Sequence, residues 1–186
     1  MSCDLLTPLK ASFQSRGATD KFLSAALVLF CLFSAALPAV ARDDEKPLQI
    51  FFIDVEGGQA TLFVTPDGQA LLVDTGWPGN DGRDADRIVA IAKSAGLSRI
   101  NYVLITHYHM DHVGGLPQLV ARIPVDTLID HGANREPNDP DTNKGWEAYE
   151  KLLATNKFKR ITVKPGDILP VTGMHATIVS SDGALI

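Results

Sequence analysis

The sequence predicts an α/β (α+β) fold, a three-strand meander followed by alternating helices and strands. Two observations carry this. Short apolar runs rich in β-branched residues recur at Leu48–Ile53, Ala60–Val64, Ala70–Val73, Ile100–Ile105 and Thr127–Asp130. Turn residues separate the first three runs, whereas stretches with helical spacing separate the later ones. Strands that alternate with amphipathic helices bury one common core, with the helices packed on the sheet.

The elements follow in order. After a polar linker over residues 42–47, Leu48–Ile53 reads as a buried strand that ends in the glycine turn Asp54–Gln59. Ala60–Val64 and Ala70–Val73 pair across Pro66–Asp67–Gly68, where proline presets φ and glycine takes the positive-φ position. Arg83–Ala95 carries Ile88, Val89, Ile91 and Ala92 at helical spacing, and Gly96 stops it. Strand Ile100–Ile105 runs into a polar turn, and a short helix is expected from about Gly114 to Arg122. Thr127–Asp130 ends at His131, and Pro137–Gly145 reads as a polar loop. A helix is expected over Trp146–Phe158, then short strands at Arg160–Val163 and Ala176–Val179.

The functional signal lies in Thr106–His107–Tyr108–His109–Met110–Asp111–His112–Val113–Gly114–Gly115. Three of the five histidines of the chain fall in this stretch. His107 and His109 are two residues apart, so on an extended chain their rings share a side. Imidazole and carboxylate suit zinc or a similar first-row divalent ion, with manganese or iron as alternatives. Four such donors exceed what one tetrahedral ion takes from so short a segment, so two ions sharing the cluster is the simpler reading. A lone histidine at a strand end is usually structural; three with an aspartate at this spacing are not.

His-x-His-x-Asp-His after a strand resembles the signature of the metallo-β-lactamase-fold hydrolases, and every position matches. That resemblance implies an αββα sandwich of which residues 48–186 form the N-terminal half. It implies that His107 and His109 hold one metal ion and Asp111 and His112 the other, with metal-bound hydroxide as nucleophile and Asp111 also handling its proton. Histidine at position 109, where the iron oxidoreductases of the same fold commonly carry glutamate, favours hydrolysis over redox chemistry. Within the superfamily, Ile50–Asp54, Thr61–Val64 and Leu71–Gly76 with the motif are similar to the hydrolase domain of DNA-uptake competence proteins, although Glu56 and Gln59 depart from that branch. Phosphodiesters follow from the branch resemblance; esters and amides are open to similar sites.

Asp74, at a strand end, is a candidate for orienting a ligating imidazole, or else a capping aspartate before Gly76. His131 is a candidate for the same rim. His175 is expected to be structural or exposed. Asp139, Asp141, Asn143 and Glu150 have the spacing of a calcium loop, but Lys144 replaces the glycine its sharp turn needs, so a loop without calcium is expected.

Residues 1–41 read as an export signal: Lys10, Arg16 and Lys21, an apolar run from Phe22 to Leu37, then Pro38 and Ala39–Val40–Ala41 before a cleavage point. The expected location is periplasmic or secreted, with the membrane met only through this segment; an uncleaved anchor is the alternative. Both cysteines, Cys3 and Cys31, lie within it, which leaves the rest without disulfides or thiolate metal sites. The chain has 17 basic and 22 acidic residues; three and two of these precede Arg42, which leaves 14 against 20. That balance argues against a broad nucleic-acid-binding face. The cluster Lys157, Lys159, Arg160 and Lys164 reads as a solvated helix end.

The resemblance also implies a later histidine for each ion, a bridging carboxylate and a second sheet, none of which is found before Ile186. The expectation is a hydrolase by lineage, truncated before the ligands that complete it and in doubt as a catalyst. The alternative is a non-enzymatic metal-binding or interaction fragment completed by a partner chain. A half sandwich also predicts self-association through its exposed sheet.

Overall fold

The computed structural model describes residues 46–186; the export-signal reading therefore lies outside the described residues. Six strands form one sheet in sequence order: β1 (Gln49–Phe52), β2 (Thr61–Val64), β3 (Ala70–Val73), β4 (Ile100–Leu104), β5 (Val125–Asp130) and β6 (Lys159–Thr162). The first three are antiparallel, β1 and β2 joined by a glycine-containing loop and β2 and β3 by the turn at Pro66–Gly68. From β3 to β6 all pairings are parallel, because helices make the crossovers. The carboxyl ends of β3, β4 and β5 therefore open on one edge of the sheet, where ligands of such folds gather.

Helix α1 (Arg83–Ser94) follows a 3-10 turn at Asn80–Gly82; α2 (Met110–Val113) and α3 (Leu116–Val120) follow β4, and α4 (Pro140–Leu153) follows β5. These helices cover one face of the sheet. Ile88, Ala92, Leu116, Leu119 and Tyr149 are buried there against Leu62, Leu72, Val103 and Leu128. On the other face Leu71, Ile129, Val163, Leu169 and Val171 form a smaller cluster under the C-terminal segment. That face is uncovered at its β1 end, where Leu48, Ile50 and Phe52 are exposed, Phe52 at 85%.

Three expectations are corrected. The single helix over Gly114–Arg122 is two short helices, and the first starts at Met110, so Asp111 and His112 sit on a helical turn. The fourth helix starts at Pro140, within the expected loop, and ends at Leu153. Its start is set by Asp139, whose carboxylate accepts from the N–H groups of Asp141 and Thr142, with proline at the first helical position. Polar composition had hidden that signal, and the same cap explains the calcium-like spacing. Ala176–Val179 forms no strand; Thr177 bridges to Ile168, and the last pairing is a short hairpin of β7 (Ser180–Ser181) and β8 (Ala184–Leu185). Among the described residues no helix is long and apolar enough to cross a membrane.

Candidate metal centre

The histidine motif leaves the carboxyl end of β4 and is clamped from three sides. From the β1–β2 turn, the Gln59 N–H donates to the Asp111 carbonyl at 3.1 Å. Gly58 lies so close that a Cβ there would stand 2.4 Å from the same oxygen. From the β3 end, the Thr75 N–H donates to the His112 carbonyl at 2.7 Å. From α4, Gly145 packs on the motif; a Cβ there would stand 2.0 Å from the Tyr108 carbonyl oxygen. Tyr108 is itself buried and donates its hydroxyl to the Gly132 carbonyl, at 2.5 Å. The tyrosine between His107 and His109 thus anchors both to the loop after β5.

His107, His109 and His112 come together. The ring centroids of His107 lie 4.9 Å from those of His109 and 3.9 Å from those of His112. Asp111 Oδ2 lies 3.6 Å from His112 Nε2. Asp74, fully buried at the end of β3, accepts from the Thr106 N–H at 2.8 Å and the Thr106 hydroxyl at 2.7 Å. Its Oδ2 also lies 2.8 Å from His112 Nδ1, which turns Nε2 of that ring towards Asp111. Thr106 Oγ1 reaches His107 Nδ1 at 3.0 Å. Burial pushes the His112 pKa down, but the hydrogen bond and charge of Asp74, with the charge of Asp111, overcome it and leave it raised. His107 moves the other way: burial and the neighbouring His112 lower it despite Asp74.

This donor set fits a divalent cation in its chemistry: three imidazoles and a carboxylate, with two of the rings oriented by oxygen atoms on their Nδ1 side. Asp111 Oδ2 and His112 Nε2 face each other across 3.6 Å. Among the described residues, no three His, Cys, Asp or Glu side chains are already gathered to hold an ion. The donors meet in pairs.

His131 is placed elsewhere on the rim. Its ring lies 4.9 Å from that of Tyr108, and it lines a cavity of about 570 Å³ together with Thr106, Arg135 and Asp182. Its Nδ1 is buried without a hydrogen-bond partner among the described residues. His175 is exposed, within 3.1 Å of the Thr177 hydroxyl. Arg160 is not a solvated helix end: it forms two hydrogen bonds, at 2.7 and 2.9 Å, with the buried Asp130.

Three residues near the motif went unread in the sequence. Thr106 adjoins the motif, and a hydroxyl next to a ligand run is a usable signal. Asp130 shares with Asp74 the position of an acidic residue ending a strand. Glu136, with Oε2 3.9 Å from His109 Nδ1, lies in a loop with no local pattern to mark it.

A family model described as the metallo-beta-lactamase superfamily matches residues 54–183. A hydroxyacylglutathione hydrolase of Stenotrophomonas maltophilia is 41% identical over 105 residues, which is 56% of this chain and 37% of that protein. One of Xylella fastidiosa is 41% identical over 120 residues, 64% of this chain and 35% of the relative. The chain spans about a third of the length of these curated relatives. Among solved structures, a subclass B3 metallo-beta-lactamase of Bradyrhizobium japonicum is similar with a TM-score of 0.49 and 21% identity, covering 73% of this chain and 52% of that one. The competence-protein branch resemblance rests on the sequence motif alone.

Proposed function

The chain belongs to the metallo-beta-lactamase superfamily, and from that premise we propose that it is a metal-dependent hydrolase whose centre is built on His107, His109, Asp111 and His112. Members of this superfamily bind divalent metals, usually zinc. The observation that supports the reading is the pairwise approach of the motif side chains at the carboxyl end of β4, His107 to His109 and to His112 and Asp111 to His112, with Asp74 fixing the ring of His112 from the end of β3. In this reading His107 and His109 serve one ion, Asp111 and His112 a second. Bound there, such ions lower the pKa of water towards neutrality and polarise a substrate oxygen. Asp111 holds or takes up a proton beside His112. The hydrogen bond of Asp74 at Nδ1 keeps His112 in the tautomer with Nε2 free, and Thr106 does the same for His107. Gly58 and Gln59 pack on Asp111 from one side, and Glu136 lies beside His109 on another.

The named relatives act on hydroxyacylglutathiones, which puts acyl bonds first among substrates to try, ahead of the phosphodiesters of the competence-like reading. In the same reading residues 1–41 are an export signal, or an uncleaved anchor, that would carry this chemistry out of the cytoplasm. The second reading, an interaction fragment completed by a partner or by self-association, is favoured by one observation: Ile50 and Phe52 are exposed on the edge strand β1, and Leu48 just before it. The test is an assay panel of acyl-glutathiones, lactones and bis-nitrophenyl phosphate with added zinc or manganese. Turnover that disappears in Asp111→Asn supports the hydrolase; zinc binding without turnover on any substrate supports the fragment.

A further inference from the structure

We propose that Glu136 is an additional carboxylate donor of the metal centre, acting at the His107–His109 end; the proposal rests on the metal-centre reading above. The backbone of Glu136 is pinned. Its N–H donates to Asn134 Oδ1 at 2.9 Å, and its carbonyl accepts from the Thr142 hydroxyl at 2.8 Å and the Asp139 N–H at 3.0 Å. Asp139 and Thr142 belong to the capped start of α4, the helix that packs Gly145 on Tyr108, and Asn134 is tied to the same turn through Thr142 and Asn143, so the loop is held at a fixed place against the motif. The carboxylate, by contrast, makes no hydrogen bond among the described residues and is directed at His109.

The separation of 3.9 Å between Glu136 Oε2 and His109 Nδ1 is too long for a hydrogen bond. Zinc–nitrogen and zinc–oxygen bonds of about 2.0–2.2 Å put two ligands of one tetrahedral ion about 3.4 Å apart. A glutamate side chain that is 59% exposed closes the remaining gap by rotation, without moving its pinned backbone. The charge count points the same way. Asp111 and His112 form a mixed carboxylate–imidazole pair, whereas His107 and His109 bring two neutral rings and no anion. Glu136 supplies the missing negative charge from the only acidic side chain seen within 4 Å of His109 among the described residues. A cation there would be a first-row divalent ion with an N/O donor set, for which zinc and manganese are the probes.

The experiment is a zinc titration of the full chain in competition with a chromophoric chelator, on wild type, Glu136→Gln, Glu136→Asp and His107→Ala. Glutamine keeps the shape and an oxygen that accepts hydrogen bonds but loses the charge. The expected result is a loss of about tenfold or more in one zinc-binding step for Glu136→Gln. The other step stays within about twofold, Glu136→Asp falls between, and the thermal midpoint of the metal-free chain is unchanged. Zinc binding by Glu136→Gln equal to wild type in every step overturns the proposal while leaving the motif intact. Binding by His107→Ala equal to wild type overturns the metal-centre reading itself, and the proposal with it. If Glu136→Gln lowers the metal-free midpoint, the cobalt visible spectrum of the folded Glu136→Asp chain decides: a changed spectrum supports direct ligation, an unchanged one refutes it.

Discussion

Asp74 and Asp130 end the two strands that flank β4, and both are fully buried, yet their charges are met differently. Asp130 is held by the Arg160 guanidinium on both oxygens, by the Tyr149 hydroxyl at 2.7 Å and by the Gly132 N–H at 2.8 Å. Arginine keeps its proton at any working pH, so this carboxylate always has a cationic partner; burial first, and then the nearby Asp130, push Tyr149 well above the usual phenol range. Asp74 has Thr106 and one imidazole. Among the described residues its one cationic partner is His112, which titrates; a metal ion on the far nitrogen of that ring would add to it. Burying a charge costs free energy unless it is paired. A buried aspartate paired with arginine is architecture; one that depends on histidine is complete only when the motif carries positive charge. The difference separates the residues that hold the sheet together from those that prepare a site.

Truncating each aspartate should split stability from metal binding. Asp130→Ala strands Arg160 and Tyr149 and should cost about 3 kcal/mol, the low end for breaking a buried pair because Arg160 can turn to solvent. Urea unfolding in chelator should show that loss, and zinc should stabilise the variant as much as wild type. Asp74→Ala should cost less in chelator, about 1–3 kcal/mol for an unsatisfied buried network. It should weaken zinc by about 10–100-fold, seen as a smaller zinc-induced rise in melting temperature. Equal effects of the two variants on both readouts would erase the distinction.

Smaller effects sharpen it. Asp139→Ala removes the cap of α4 and should cost about 1 kcal/mol by urea unfolding, since two N–H groups lose their acceptor. In the metal-free chain, NMR titration should place His112 above 6.5 and His107 below it, an order that reverses or collapses in Asp74→Asn. The raised His112 contributes stability that is full below pH 6.5 and is lost as pH rises through its folded-state value. The lowered His107 acts oppositely, removing stability as pH falls below 6.5.

Much of the strand order and the whole histidine motif were legible because both rest on local pattern: apolar runs, a proline–glycine turn, and donors packed into one stretch. Asp74 was legible as a candidate from its place at a strand end, but the sequence left a capping role open until the contact with His112 was seen. What escaped was long-range. Arg160 looked like one of a basic cluster, and only the pairing of β5 with β6 brings it to Asp130. Glu136 is brought to His109 by the anchoring of α4 on Tyr108. The start of α4 was local after all, written in Asp139–Pro140, but a polar first turn obscured the helical period that begins in earnest at Trp146.

The most direct test of the account is zinc binding by the purified chain, measured by calorimetry for wild type, His107→Ala and Asp111→Ala. The account predicts two zinc ions on wild type, loss of binding at the His107–His109 end in the first variant, and loss at the Asp111–His112 end in the second. Wild type and both variants binding alike would contradict it.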